Sequence, residues 1–364
     1  MHKSLSGALA TLLALSGTSQ AQTQAPPQAS SAEAACPLPA VAASATLDPV
    51  PGSNQVTVPV EINGKPKNFL LSVSADPTRV SQATVSDLKL AMGRRGSETF
   101  LTGSTSQDDS TARDFNVGAT IQATMVNAKN SPDGEGRQRV AIPSFTIGGA
   151  TGKDLVFAVA RDNEIEKSAP YDGIVTGDFF KQYDVELDFA AMKINYLTPN
   201  TCPDPHQIVF WPHKEVAVIP MTLVNGKIEV QVDIGGSQIN AILDTGSAQT
   251  VMRRDIAENK LGLKADSPQM PPAGDMRDGS GMQIYNAKFP QITFAGGVTA
   301  FNVPALIQTN GMTHNLHKEA TLGSRAQFKA DPRIPALTLG MDVLRQLHIY
   351  VVYNQKNIYM TAAD

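Results

Sequence analysis

The chain of 364 residues is long enough for two ordinary domains, each with a hydrophobic core of its own. Its 30 basic and 34 acidic side chains leave a formal net charge of −4, and no stretch of the sequence concentrates Lys and Arg. This balance gives no electrostatic basis for binding nucleic acid or an anionic membrane, so we expect neither as a partner.

The first 21 residues have the pattern of an export signal. A polar start at His2 and Lys3 precedes the apolar stretch LSGALATLLAL, which is too short for a bilayer-spanning anchor. We expect cleavage after Ala21 and a periplasmic or secreted location. Residues 22–47 are dominated by Gln, Ala, Pro and Ser, which bury too little apolar surface to fold alone, and they predict a flexible extension.

The chain contains two cysteines, Cys36 and Cys202. An even number of cysteines in an exported chain favours a disulfide, and two unpaired thiols are the alternative. Cys202 lies in TPNTCPDPH, whose composition is that of a linker, so we assign residues 199–206 as the connection between two domains. A disulfide would tie the N-terminal extension to this linker.

Three segments recur in the same order along the chain, which indicates a duplicated unit. The pairs are VPVEINGKP with IPMTLVNGK, DGEGRQRVAIPSFTIGG with DGSGMQIYNAKFPQITFAGG, and VTGDFFKQYDVELDFAAMKINYL with LGMDVLRQLHIYVVYNQKNIYM. We therefore expect one domain at residues 48–198 and a second at residues 207–364.

Each unit has the sequence pattern of β-structure. KIEVQVDI and SQINAIL alternate or run apolar with many β-branched residues, and Gly-rich turns separate them. Helical signals are few and short, such as RRDIAENKLGL, for which Gly262 provides the C-terminal stop. The pattern predicts an all-β fold with a few short helices and excludes a helical bundle.

The stretch AILDTGSAQTVM, residues 241–252, gives the strongest indication of chemistry. A short apolar strand delivers Asp244 into a tight turn formed by Thr245, Gly246 and Ser247. Gly246 lets the backbone approach without a Cβ, and the two hydroxyls can donate to backbone or to a carboxylate oxygen. A carboxylate held in this way can activate water. Amide hydrolysis by coupled carboxylates needs two that share a proton, and the motif occurs once.

AILDTGSAQTVM, the later DGSG and the closing LTLGMDVL together resemble the retropepsin-like aspartic proteases, in a bacterial-type tandem form. The resemblance implies one β-barrel lobe per repeat and a pseudo-symmetric bilobal unit, in which each lobe supplies one Asp to a shared peptide cleft. It implies no cofactor and no metal, and its substrate would be a peptide or an unfolded protein. The implied site residues are the catalytic acid Asp244, the loop residues Thr245, Gly246, Ser247 and Gly340, and the flap residues Asp278, Gly279, Ser280 and Gly281.

The first repeat departs from this pattern at the acid itself. Matching NFLLSVSADPTRVS to NAILDTGSAQTVMR places Ser72 over Asp244. Asp76 lies four residues beyond the expected place, and a slip of four residues would break the match at Thr78. The sequence therefore predicts that Ser72 occupies the degenerate first-lobe position.

Three arrangements are open. Two chains could pair their second domains in a homodimer and bring two Asp244 carboxylates together. The two repeats could instead pair within one chain, with Asp244 facing Ser72, or the fold could serve as an exported scaffold or binding module. Duplication favours pairing within one chain because linked partners meet at high effective concentration. The intact motif favours an exported aspartic endopeptidase, which we expect, because a buried acid is costly without a use. A weak or inactive peptide-binding pseudoprotease is the alternative.

Overall fold

The computed structural model describes residues 36–73, 77–92, 100–102, 124–126, 138–161, 164–165, 168–180, 183–202, 204–213, 215–224, 226–275, 283–308 and 335–363. The chain from Cys36 onward forms one compact unit in which β-strands dominate. Within these residues, no helix combines the length and the apolar character needed to cross a membrane.

The strands are β1 (Val41–Thr46), β2 (Asp48–Pro49), β3 (Val56–Ile62), β4 (Lys65–Leu71), β5 (Arg79–Val80), β6 (Phe100–Thr102), β7 (Thr124–Val126), β8 (Arg139–Ile147), β9 (Ala150–Val159), β10 (Gly173–Val175), β11 (Asp184–Asp188), β12 (Lys193–Leu197), β13 (Ala217–Val224), β14 (Lys227–Ile234), β15 (Ser237–Leu243), β16 (Val251–Arg253), β17 (Pro272–Asp275), β18 (Gln283–Phe294), β19 (Thr299–Gln308), β20 (Leu337–Leu339), β21 (Leu347–Val352) and β22 (Asn357–Ala362). The helices are α1 (Gln82–Asp87), α2 (Gly177–Phe180), α3 (Pro205–Ile208), α4 (Arg254–Leu261) and α5 (Met341–Leu344).

Two closed barrels of six strands are built on the same plan. The first has the order β3-β4-β10-β5-β9-β8 and closes where Val60 of β3 pairs with Ile147 of β8. The second has the order β14-β15-β20-β16-β19-β18 and closes where Val232 of β14 pairs with Phe294 of β18. In both barrels the strand that leads to the candidate site is parallel to its neighbour, as β4 is to β10 and β15 is to β20. The predicted all-β fold with two barrel lobes is therefore confirmed.

A six-stranded antiparallel sheet joins the two lobes, in the order β1-β12-β11-β21-β22-β13. Its two central strands come from different lobes and pair at Leu187 and Ile349. Alternate residues of these strands enter the common hydrophobic core, and the other face carries polar and aromatic groups. Trp211 covers that second face and stacks on His348 with ring centroids 3.8 Å apart.

The prediction of a flexible extension at residues 22–47 is wrong for residues 41–46. These residues form β1, which pairs along its length with β12. The composition concealed this strand because its inward side chains, Ala43 and Ala45, are small, and their burial depends on backbone pairing with a distant segment. Residues 22–35 lie outside the described part of the chain.

The segment predicted as a linker, residues 199–206, is packed against the shared sheet. Asn200 and Cys202 are buried within it, and α3 begins at its C-terminal end. Cys202 forms a disulfide with Cys36, with Cα atoms 5.5 Å apart, so the first described residue is held beside this connection.

The first predicted repeat pair, VPVEINGKP with IPMTLVNGK, is wrong in register. VPVEINGKP spans β3 and β4, and the strands in the same places of the second barrel are β14 and β15. Asn63 and Gly64 turn the first hairpin with φ of 53° and 70°, and Gly235 and Gly236 turn the second with φ of 60° and 85°. The shared letters NGK misled the alignment because Asn-Gly and Gly-Gly satisfy the same two-residue turn. The segment IPMTLV belongs to β13, which pairs with β22 of the shared sheet in its first half and with β14 in its second half.

Asp184, at the start of β11, is a buried carboxylate of the shared sheet. Its oxygens accept hydrogen bonds from the backbone N–H of Asn200 and, at 3.2 Å, from that of Tyr353. Burial raises the pKa of Asp184 to about 6, although these donors act in the opposite direction. A carboxyl whose pKa is raised by folding stabilises the fold in its protonated form. That contribution is fully present below the unfolded pKa of about 3.9 and is lost as the pH rises through 6.

We therefore predict that Asp184→Asn removes a pH-dependent contribution to stability. The unfolding free energy of the unmodified protein, relative to the variant, should fall by about 2–3 kcal/mol between pH 4 and pH 7. Denaturant unfolding at several pH values measures this difference. Asp188→Asn, at the turn end of the same strand, is the control, and parallel pH curves for Asp184→Asn and the unmodified protein would contradict the prediction.

Candidate active site

Asp244 lies directly after β15, in a turn held by backbone hydrogen bonds. Its N–H donates to the carbonyl oxygen of Leu339 at 3.0 Å, which ends the parallel pairing of β15 with β20. Ser247 N–H donates to the Asp244 carbonyl at 3.1 Å, and Met341 N–H donates to the Ser247 carbonyl at 2.8 Å. The carboxylate therefore leaves the barrel from a fixed backbone position.

Gly340 and Asp342, which follow β20 in the chain, support this turn. A Cβ at Gly340 would overlap the backbone of Gln249, so glycine is required for the close approach of the two segments. The Asp342 carboxylate accepts from Thr250 N–H at 2.9 Å and from the Thr250 hydroxyl at 2.7 Å. Asp342 thus fixes the strand that leaves the Asp244 turn, which is a supporting role that the sequence did not assign to it.

Ser72 occupies the same place in the first barrel as Asp244 does in the second. Its N–H donates to the carbonyl oxygen of Val175 at 2.9 Å, directly after β4, in the way that Asp244 N–H donates to Leu339. The supporting contact also recurs: Thr176 N–H donates to the Thr78 hydroxyl at 3.2 Å, and Gly340 N–H donates to the Thr250 hydroxyl at 3.3 Å.

The two positions meet where the lobes face each other. The Ser72 hydroxyl donates to Oδ1 of Asp244 at 2.8 Å, and Gly246 N–H donates to the same oxygen at 2.8 Å. Ser72 is buried and Asp244 is half-buried. A Cβ at Gly246 would lie 2.8 Å from the Ser72 Cβ, so the glycine also allows this approach.

Thr245 links the two lobes through its side chain. Its hydroxyl donates to the carbonyl oxygen of Leu71 at 2.9 Å and accepts from Val73 N–H at 3.1 Å. Val73 is 172 residues before Thr245, and Ser72 is likewise 172 residues before Asp244. Since valine has no hydroxyl, the first lobe cannot return the contact, and the link is one-sided.

The remaining predicted residues lie apart from the carboxylate or outside the described chain. The Ser247 hydroxyl donates to the Gln249 carbonyl at 2.7 Å and so supports the turn. Asp278, Gly279, Ser280 and Gly281 fall outside the described residues, although the strands on either side of them, β17 and β18, pair as a hairpin. Asp76 also falls outside the described residues.

Sequence reasoning missed two residues at this site, Asn54 and Gln55. They lie in the first lobe, and their side-chain amides contact the Asp244 turn of the second lobe. Gln55 Nε2 donates to the carbonyl oxygen of Gly246, and Asn54 Nδ2 donates to that of Ala248 at 3.3 Å. No motif marks either residue, because the contacts are made between a side chain and a backbone that are distant in sequence.

Comparison with known proteins agrees with this geometry. Residues 230–343, which contain the Asp244 turn and the supporting Gly340, match the family model for aspartyl protease. No curated protein matches the chain. The second lobe is thus similar to the aspartyl proteases, and the chain has a protease-like fold.

Two solved structures are similar over most of their length. One is basic 7S globulin from soybean, with 10% identity, a TM-score of 0.42, and coverage of 88% of this chain and 95% of that chain. The other is conglutin gamma, a basic 7S globulin from lupine seeds, with 12% identity, a TM-score of 0.42, and coverage of 88% and 94%. Likenesses this distant carry no functional argument.

We predict that Thr245→Val weakens the contact between the lobes. The variant has nearly the same shape but leaves the Leu71 carbonyl and the Val73 N–H without the hydroxyl that both contact. The unfolding free energy should fall by about 2–3 kcal/mol, measured by denaturant unfolding. Ser247→Ala, which removes a hydroxyl whose bond among the described residues lies within its own turn, should cost less than about 1 kcal/mol. Equal losses for the two variants would contradict the assigned role of Thr245.

Proposed function

We propose that the protein binds extended peptide segments between its two lobes and that hydrolysis there is slow or absent. The observation that carries the proposal is the 2.8 Å hydrogen bond from the Ser72 hydroxyl to Asp244 Oδ1 within one chain. It is supported by the protease-like fold, whose facing lobes suit backbone hydrogen bonding to an extended peptide.

The chemistry follows from what a serine can and cannot replace. Two facing carboxylates share one proton, so that one acts as a base on water and the other as an acid toward the substrate carbonyl. A serine hydroxyl can donate a hydrogen bond to Asp244, but it neither carries the second negative charge nor releases a proton as a carboxylic acid does. The base can remain, and position 72, which contacts it, carries a hydroxyl in place of a carboxylic acid.

We further propose that the first lobe is a degenerate tandem copy and that the site forms within one chain. The matching hydrogen bonds after β4 and β15 support the first point. The second is supported by Ser72, which lies against Asp244, and by Thr245, which is bonded to the other lobe. A homodimer that joined two Asp244 carboxylates through the second domains would first have to break these contacts.

We also propose that the protein is exported, with residues 1–21 as its signal peptide. The disulfide between Cys36 and Cys202 supports this location, because disulfides form and persist in oxidising compartments.

A weak aspartic endopeptidase is the second candidate function. It is favoured by the way Asp244 is held, since Gly246 N–H aims at Oδ1 and the turn belongs to the part of the chain that matches the aspartyl protease model. A lone positioned carboxylate can still act as a general base on water. Asp76 is the remaining sequence candidate for a second acid.

The prediction that separates the two functions concerns the mature protein and its Asp244→Asn variant. Both should bind unfolded protein or extended peptides, and neither should cleave them between pH 3 and pH 7. Binding is measured by fluorescence anisotropy and cleavage by mass spectrometry of the same samples. Cleavage that disappears in Asp244→Asn would establish the endopeptidase instead, and its loss in Asp76→Asn would identify the second acid. Absence of binding would refute the peptide-binding proposal.

A second prediction concerns restoration of the missing half-site. Replacing residues 72–74 by Asp-Thr-Gly, through Ser72→Asp, Val73→Thr and Ser74→Gly, supplies the second acid, the reciprocal hydroxyl and a glycine at the position that matches Gly246 in sequence. The triple variant should hydrolyse peptides on the order of 100-fold faster than the unmodified chain, with an acidic optimum. The same variant with Asp244→Asn is the control. A folded triple variant without any gain would contradict the pairing of Ser72 with Asp244.

A further inference from the structure

We infer that Gln55 is a positioning residue for the Asp244 carboxylate and that it acts through the backbone of Gly246. This assigns the first lobe a specific part in the site of the second. The inference rests on the proposed function only in taking Asp244 as the centre of the site, and it requires neither hydrolysis nor peptide binding.

The contact is made by the loop between β2 and β3. Gln55, at the end of this loop, donates from Nε2 to the carbonyl oxygen of Gly246 in the opposite lobe. Asn54 makes a second contact of the same kind, to the Ala248 carbonyl at 3.3 Å. Both side chains are half-buried, so the bonds are partly shielded from competing water.

The loop holds the Gln55 amide in one orientation. Val50 N–H donates to the Gln55 carbonyl at 2.9 Å, which closes the loop. The Ser53 hydroxyl donates to Gln55 Oε1 at 2.9 Å and accepts from Gln55 N–H at 3.2 Å. Because Oε1 is an acceptor for Ser53 and the Gly246 carbonyl needs a donor, Nε2 must face Gly246.

The contact of Gln55 affects the carboxylate through the backbone of Gly246. A glycine has the widest backbone freedom of any residue, so its conformation in the turn is fixed by its partners. Gln55 holds its carbonyl, and its N–H, on the other side of the same Cα, donates to Asp244 Oδ1 at 2.8 Å. A hydrogen bond from an N–H to a carboxylate favours the charged form. Gln55 therefore helps to keep the Asp244 carboxylate oriented through the Gly246 backbone.

The contacts of Asn54 and Gln55 complement the contact that Thr245 makes with the first lobe. Thr245 ties the second lobe to Leu71 and Val73, and Val73 offers no hydroxyl in return. The amides of Asn54 and Gln55 supply two donors from the first lobe to the same turn, on the far side of Gly246. Together these contacts hold the turn at both ends.

The test compares Gln55→Leu with Asn54→Ala in the full mature chain. The titration of Asp244 is followed by NMR of ¹³C-labelled aspartate, with Asp244→Asn used to assign its signal. In Gln55→Leu the titration midpoint should move up by about half a pH unit, because the Gly246 N–H is held less well. In Asn54→Ala the midpoint should stay unchanged, because Ala248 does not contact the carboxylate in the geometry described above.

A second readout is the amide proton of Gly246. In the unmodified protein its chemical shift should follow the Asp244 titration, and in Gln55→Leu this change should be at least halved. An unchanged midpoint and an unchanged amide response, with stability lowered equally in the two variants, would overturn the inference and leave Gln55 as a structural contact only. If Gln55→Leu does not fold, Gln55→Met gives the same comparison with an unbranched side chain. Failure of peptide binding would refute the proposed function and leave this result intact.

Discussion

The antiparallel pairing of β11 with β21 is the constraint on which the site depends. These strands follow the barrels of different lobes, and their backbone bonds, such as those around Leu187 and Ile349, make the two lobes share one sheet. In this arrangement the turns after β4 and β15 face each other. A hydrogen bond of 2.8 Å between Ser72 and Asp244 tolerates displacements of a few tenths of an ångström, so the shared sheet sets the chemistry of the site.

The two lobes contribute unequally to this shared site. The second lobe carries the acid and the threonine whose hydroxyl crosses the interface, whereas the first has Ser72 and Val73 in those places. The first lobe nevertheless supplies the hydroxyl that contacts Asp244 and the Gln55 amide that contacts Gly246. The two lobes therefore differ in the chemistry of these positions, although their barrels have the same strand plan.

The sequence predicts much of this framework because its signals are local. Alternating apolar residues indicate strands, and the spacing of 172 residues that relates Ser72 to Asp244 also relates Val60 to Val232 at the barrel closures, so no insertion disturbs the match. β1 was missed because its inward residues are alanines, which are also common in the extension that precedes it. Gln55 was missed because a side chain that contacts a distant backbone creates no periodicity and no motif.

The motif Asp-Thr-Gly-Ser is weaker evidence of hydrolysis than its letters indicate, because packing accounts for three of the four residues. Gly246 is required since a Cβ there would lie 2.8 Å from the Ser72 Cβ and 3.0 Å from Asp244 Oδ1. Thr245 satisfies two backbone groups of the other lobe, and Ser247 bonds within the turn.

Asp244 is different. Its Oδ1 accepts hydrogen bonds from Ser72 and Gly246, and the amide oxygen of an asparagine could accept both equally well. The negative charge is therefore the feature of the motif that these described contacts do not require. The charge of Asp244, and not the presence of the motif, is therefore the feature of the site that a test of hydrolysis has to address.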